Sequence, residues 1–138
     1  MAEHVRWKQR FQNFDRAVIL LREPIARGVA TLSVLEREGT IQRFEVAIEL
    51  AWKTLRDYLE YEGETLEVVT PRNVIKEAFS SRVIEDGQVW MDMLDHRNLL
   101  SHTYDQTVFE KAVLAMRDRY LAAFEELRDW FIEHMDAS

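Results

Sequence analysis

Trp7, Phe11, Phe14, Val18, Leu21 and Ile25 recur along the start of the chain at alternating spacings of four and three. That spacing is the seam of an amphipathic helix, one face of which must be covered. A second seam runs through Phe44, Ile48, Ala51, Leu55 and Tyr58. A third runs through Phe109, Val113, Met116, Tyr120, Ala123, Leu127 and Trp130. A strand needs alternation with a period of two, and no segment sustains it. Helices patterned this way bury their seams against one another. The expected fold is therefore all-α, an antiparallel four-helix bundle with a short additional helix. The aromatic seams read as core rather than as a cofactor box, because apolar stripes at helical spacing pack.

Capping and breaking residues set the boundaries. Pro24 lies inside the first seam and predicts a kink or an end there, with Gly28 as the stop. Ser33-Val34-Leu35-Glu36 has the form of a capping box and predicts a short helical turn. After Gly39, Thr40 is expected to cap the long second helix, which ends near Gly63. On its outer face Glu49 and Lys53 form a favourable i,i+4 pair. Thr70-Pro71 combines an N-cap with Pro at the first helical position and starts the short helix through Val74, Ile75, Ala78 and Phe79. Asp86 caps a helix from about Gly87 to His102, and Asp105 caps the last one. Trp52 and Trp90 fit either the core or a helix-on-helix dimer interface.

Composition narrows the function classes. At 138 residues the chain reads as one domain, 1–138, with a core large enough to fold without staples. There is no cysteine, which excludes disulfides and thiolate metal sites. No zinc-type spacing, Gly-rich phosphate loop or serine elbow is present, so no metal or cofactor is expected. No apolar run approaches a membrane span, and the N-terminus lacks the apolar region of a signal peptide. A cytoplasmic protein is expected. The net charge of −7 argues against a general nucleic-acid binder, so any RNA contact needs a local basic patch.

Against this background Arg97-Asn98-Leu99-Leu100-Ser101-His102-Thr103-Tyr104 stands out. It gathers a guanidinium, an amide, an imidazole and a phenol. Arg97 falls in the middle of the stripe formed by Trp90, Met93 and Leu94, where a charge must be paired or must line a cleft. Candidate partners are Asp92, Asp95 and Glu49. Asp95, Asn98 and His102 share a face, with Asn98 one turn from His102 if the helix persists. Arg97 and His102, five apart, converge only if the helix unwinds near His102, if Arg97 reaches around it, or if two copies pair. The chemistry that suits these groups is phosphodiester cleavage. Imidazole acts as general base or acid, and guanidinium holds the phosphate. The plain alternative is a buried ion pair with His102 at the negative end of a helix dipole. Arg72 and Lys76, one turn apart, and His96 are further candidates for RNA or nucleotide contact. His4 and His134 lie near the ends and suggest nothing.

The Arg97, four residues, His102, one residue, Tyr104 pattern resembles the motif of the HEPN superfamily. Three further blocks resemble one of its branches, the nucleotidyltransferase substrate-binding proteins. They are Ile41-Gln42-Arg43-Phe44-Glu45, Glu49-Leu50-Ala51-Trp52-Lys53-Thr54-Leu55 and Pro71-Arg72-Asn73-Val74-Ile75-Lys76-Glu77-Ala78-Phe79. The likeness runs from about Phe11 to Phe131. It implies a helical bundle that forms a homodimer or higher oligomer, with the motif helices near the two-fold axis. It implies a small, separately encoded nucleotidyltransferase as partner, often in a toxin–antitoxin pair. There this chain would be a metal-independent ribonuclease toxin, silenced in some pairs by adenylylation of the motif tyrosine. On that reading Arg97 and His102 are catalytic, Asn98 is supportive and Tyr104 is the modification target. The alternative is a non-catalytic subunit that presents substrate or nucleotide to the transferase.

Overall fold

Trp7, Phe11, Phe14, Val18 and Leu21 are all buried, as their spacing requires, on a first helix α1 (Ala2–Arg27). Among the described residues of the computed structural model, 2–135 with side chains from Arg6, every regular element is helical. His4's side chain lies outside the described residues. After α1 come a short 3-10 turn (Val29–Thr31), α2 (Val34–Tyr61), α3 (Pro71–Ser80), α4 (Gly87–Leu100), α5 (Gln106–Ala115) and α6 (Leu121–Met135). A π-turn (Met116–Tyr120) joins α5 to α6 without a break.

Cross-helix contacts give the directions. Arg10 bonds Asp57 while Arg43 reaches Leu20, so α1 and α2 run antiparallel. Trp7 packs on Phe131 and Phe14 on Phe124, so α1 and α6 are antiparallel as well. Trp90 meets Phe124 while His96 meets Tyr120, which makes α4 antiparallel to the last helix. The four long elements form the bundle, and α3 is the short addition leaning on α2 and α4. The buried apolar side chains make one connected cluster with an aromatic spine of Trp7, Phe11, Phe14, Phe44, Phe124 and Phe131. Trp52 and Trp90 are both buried in this single chain, which settles them as core.

Three boundary expectations change. α1 runs through Pro24 to Arg27. Pro24 has no N–H for the carbonyl of Leu20 one turn back, and Arg43 Nη1 of α2 donates to that oxygen instead at 2.8 Å. The helix ends only at Gly28, whose φ of 102° a non-glycine residue would resist. The capping box at Ser33 and Glu36 forms, but it opens α2 itself rather than a separate turn. α2 passes through Gly39, and Thr40 donates its hydroxyl to Glu36 O at 2.8 Å instead of capping. A glycine in a helix costs about 1 kcal/mol, little beside the seam buried on either side. Finally, the wide π-turn takes up one extra residue. Beyond it the last seam buries Ala123, Phe124, Leu127 and Phe131, so Phe131 rather than Trp130 closes it. Trp130 is moved to the flank, where it stacks on His134.

The π-turn also fixes α4. Tyr120, buried and stacked on Phe44, bonds Nδ1 of the half-buried His96. Burial lowers the His96 pKa below its ordinary value and pushes the Tyr120 phenol up to about 12. At His96 the neighbouring charges act in both directions, Asp92 and Asp95 raising its pKa and Arg119 lowering it.

Two outcomes follow from this packing. Arg43→Met should cost about 1 kcal/mol in urea unfolding, the worth of one hydrogen bond. In a Pro24→Ala background, where residue 24 can serve Leu20 O itself, the same substitution should be nearly neutral. An unchanged cost in that background would rule out the shared-carbonyl account. Because folded His96 binds its proton less readily than the unfolded chain, stability is complete above pH 6.5 and declines as the pH falls below it. His96→Gln should flatten that slope in urea midpoints measured across the acid range.

Candidate functional site

α4 starts at Asp86, whose carboxylate accepts from Val89 N at 3.1 Å. The helix then turns Trp90, Met93 and Leu94 into the core. The next residue on that stripe is Arg97, and α2 supplies its counter-charge. Arg97 Nη1 donates to Glu49 Oε2 at 2.8 Å, and its Nη2 donates to Asn98 Oδ1 at 3.2 Å. The same Glu49 oxygen accepts from Trp52 Nε1 at 3.0 Å, while Oε1 faces Lys53 Nζ at 3.2 Å. Burial pushes the Glu49 carboxyl up, but the indole, the ammonium and the guanidinium outweigh it and hold the group below its ordinary value. One turn earlier, Glu45 is raised by burial, an effect that the charge of Arg97 partly offsets. The Arg97 side chain remains a quarter exposed.

Of the three partners the sequence offered Arg97, the structure selects Glu49. Asp92 is taken by Arg119 at 2.7 Å and Gln88 at 2.9 Å, and Asp95 by Arg72. The Glu49–Lys53 pair forms, but not on an outer face: the carboxylate is turned toward α4. The spacing Glu49, Trp52, Lys53 places an indole N–H and an ammonium one turn beyond a carboxylate. That spacing is the signal that marks Glu49 as a held group.

The helix ends at Leu100, two residues before the boundary expected at His102. Ser101 N donates to Arg97 O at 3.2 Å, and its hydroxyl donates to Asn98 O at 2.8 Å. His102 N reaches back only three residues, to Leu99 O at 3.1 Å. The backbone thus tightens and then leaves the helix at His102, the loosening that the Arg97–His102 spacing demands. The one-turn pairing of Asn98 with His102 therefore has no helix to support it, and Asn98 turns to Arg97 instead. His102 is exposed, and Tyr104 stands 92% exposed in the short segment before the Asp105 cap.

The outlying candidates are held by neighbours or lie apart. Arg72 ties α3 to α4 through Asp95 and also donates to Met91 Sδ at 3.3 Å. Lys76 is exposed on α3, and His96 points to Tyr120. Among the described residues, no group of three or more His, Asp or Glu side chains is disposed to hold a metal ion. No helix there is long and apolar enough to cross a membrane. A guanidinium with unused N–H groups can receive a phosphate oxyanion, and an exposed imidazole can exchange protons.

Comparison with known proteins bears on the fold and the family. A crystal structure of a Thermus thermophilus protein matches with a TM-score of 0.70 and 30% identity, over 88% of this chain and 98% of that one. The "Probable ribonuclease HepT" of Haemophilus influenzae is 31% identical over 98 residues, 69% of this chain. The match spans 60% of that relative's length. Residues 9–131 match the family described as "Nucleotidyltransferase substrate binding protein like". This match across most of the chain makes it a member of the nucleotidyltransferase substrate-binding protein family.

Proposed function

We propose that this chain is the HEPN-type subunit of a two-component module whose partner is a small nucleotidyltransferase, and that it is a ribonuclease toxin. The observation that carries the reading is Arg97 held at the end of α4 where the backbone opens to expose His102. In a homodimer two such Arg–His sets would face one RNA strand. One His102 takes the proton of a ribose 2′-OH as its oxygen bonds phosphorus. The P–O5′ bond breaks, and the protonated His102 of the second copy supplies the proton to the leaving O5′. A 2′,3′-cyclic phosphate and a 5′-hydroxyl result. Arg97 neutralises charge on the non-bridging oxygens, and Asn98 supports its orientation. Lys76, with Arg72 and His96, would receive the flanking strand.

Control by the partner fits the exposure of Tyr104. Its hydroxyl oxygen attacks the α-phosphorus of ATP within the transferase. The phenolic proton leaves, a Tyr–O–P bond forms and pyrophosphate departs. An adenylyl group two residues from His102 would crowd RNA out of the cleft. The second reading, a non-catalytic subunit that presents substrate, is favoured by one fact: Glu49 already neutralises Arg97.

Three measurements separate the readings. Arg97→Ala and His102→Ala should each lower RNA cleavage by at least about 100-fold and relieve growth inhibition, with unchanged circular dichroism. Intact mass after incubation with the transferase and ATP should show adenylyl addition, absent in Tyr104→Phe. Wild-type protein that cleaves no RNA and is harmless without its partner would favour the presenting subunit.

A further inference from the structure

Arginine at a phosphate site is useful only if its fork is held where the phosphate arrives, since the free side chain samples many rotamers. Here the holding is built into α2. Glu49 is gripped from its own helix, by the indole N–H of buried Trp52 on one oxygen and the Lys53 ammonium on the other. The carboxylate is therefore a fixed post and not a mobile surface acid. From it Arg97 hangs by one contact through Nη1, with Asn98 taking a second through Nη2. A guanidinium has five N–H groups. Two are engaged, so Nε–H and one N–H on each Nη remain to meet an oxyanion. A forked, bidentate pair with Glu49 would have consumed the edge a phosphate needs; the single contact does not.

We propose that Glu49, held by Trp52 and Lys53, is the positioning residue that orients the Arg97 guanidinium toward the scissile phosphate of RNA. This rests on the ribonuclease reading above. Glu49 touches no substrate itself; it acts through Arg97. Its negative charge, with Glu45 one turn away, also weakens the site's attraction for any anion. Removing the charge while keeping an acceptor should therefore have an effect opposite to removing the whole group.

The test uses the full-length protein with an RNA oligonucleotide. Glu49→Ala should lower kcat on the order of 10- to 100-fold with little change in thermal midpoint. Glu49→Gln, which keeps an oxygen for Arg97, should recover most of kcat and lower KM. Trp52→Phe, which removes only the indole N–H from the post, should lower kcat less than Glu49→Ala does. A second readout does not need activity: the 15N–1H guanidinium signals of Arg97 should be resolved in wild type and averaged in Glu49→Ala. Glu49→Ala that cleaves like wild type, or whose Arg97 signals stay resolved, overturns the proposal. So does a Glu49→Gln variant as impaired as Glu49→Ala. If wild type cleaves nothing, the ribonuclease reading falls, and the guanidinium signals alone decide whether Glu49 holds Arg97.

Discussion

The bundle depends on the aromatic spine where α1, α2 and α6 meet. Trp7 packs on Tyr58 and Phe131, Phe14 on Phe124, and Phe44 on both Tyr120 and Phe124. Rings of this size bury more apolar area than aliphatic residues and add directional edge-to-face contacts. They fix the distance between helices and also their rotation. The rotation of α2 decides the rest, because the face of α2 that does not meet the spine is the one that turns Glu49 toward α4. Ion pairs trim the same arrangement. Asp57, 2% exposed, takes Arg10 at 2.6 Å and Arg56 at 3.1 Å. Such a pair specifies register more than it adds stability, since desolvation offsets much of the attraction.

The π-turn is the second constraint. It lets one continuous rod present Phe109 and Val113 to one part of the core and Phe124 and Phe131 to another. The extra residue falls where Tyr120 must reach both Phe44 and His96. α4 is thereby tied at His96 to the last helix and at Arg72–Asp95 to α3. Its end is held from two sides just before the chain leaves the helix.

The element types were legible in the sequence because they rest on local rules. The seams, the Ser33, Thr70, Asp86 and Asp105 caps and the Gly63 stop all form. At the stop, Glu64 N reaches Leu59 O at 2.9 Å around a glycine of φ 85°. What the sequence hid were compensations made by distant residues. Pro24 is tolerated because Arg43 of another helix serves the orphaned carbonyl. Gly39 and Thr40 look like a boundary, yet the seam on both sides carries the helix through them. Nothing local marks Met116–Tyr120 as a wide turn, and the last seam departs from its spacing only at the end, where Phe131 is buried in place of Trp130. At the site, Arg97 is recognisable as a charge in an apolar stripe. Its partner cannot be chosen among three acids until the other two are seen to be occupied by Arg119 and Arg72.

The candidate site is graded from buried to exposed along one line of residues. Trp52, 9% exposed, is locked in the core; Glu49 is half-buried and gripped by it; Arg97 hangs from Glu49 a quarter exposed; His102 is exposed on the closing turn; Tyr104 stands almost wholly in solvent. On the proposed ribonuclease reading this order of exposure suits each group's task. A phosphate clamp gains from rigidity, because the barrier rises steeply with misplacement. A proton carrier must approach and leave two different oxygens. A side chain that is to enter another protein's active site must leave its own surface entirely. A helix end is where such a gradient is available in an all-helical protein. Up to Leu100 the backbone is held by its own hydrogen bonds and by its neighbours; His102 N keeps a single three-residue link to Leu99 O, and the chain then leaves the helix. On that reading, an arginine on the last turn and a histidine just past it bring the held and the exposed halves of one site within six residues of chain.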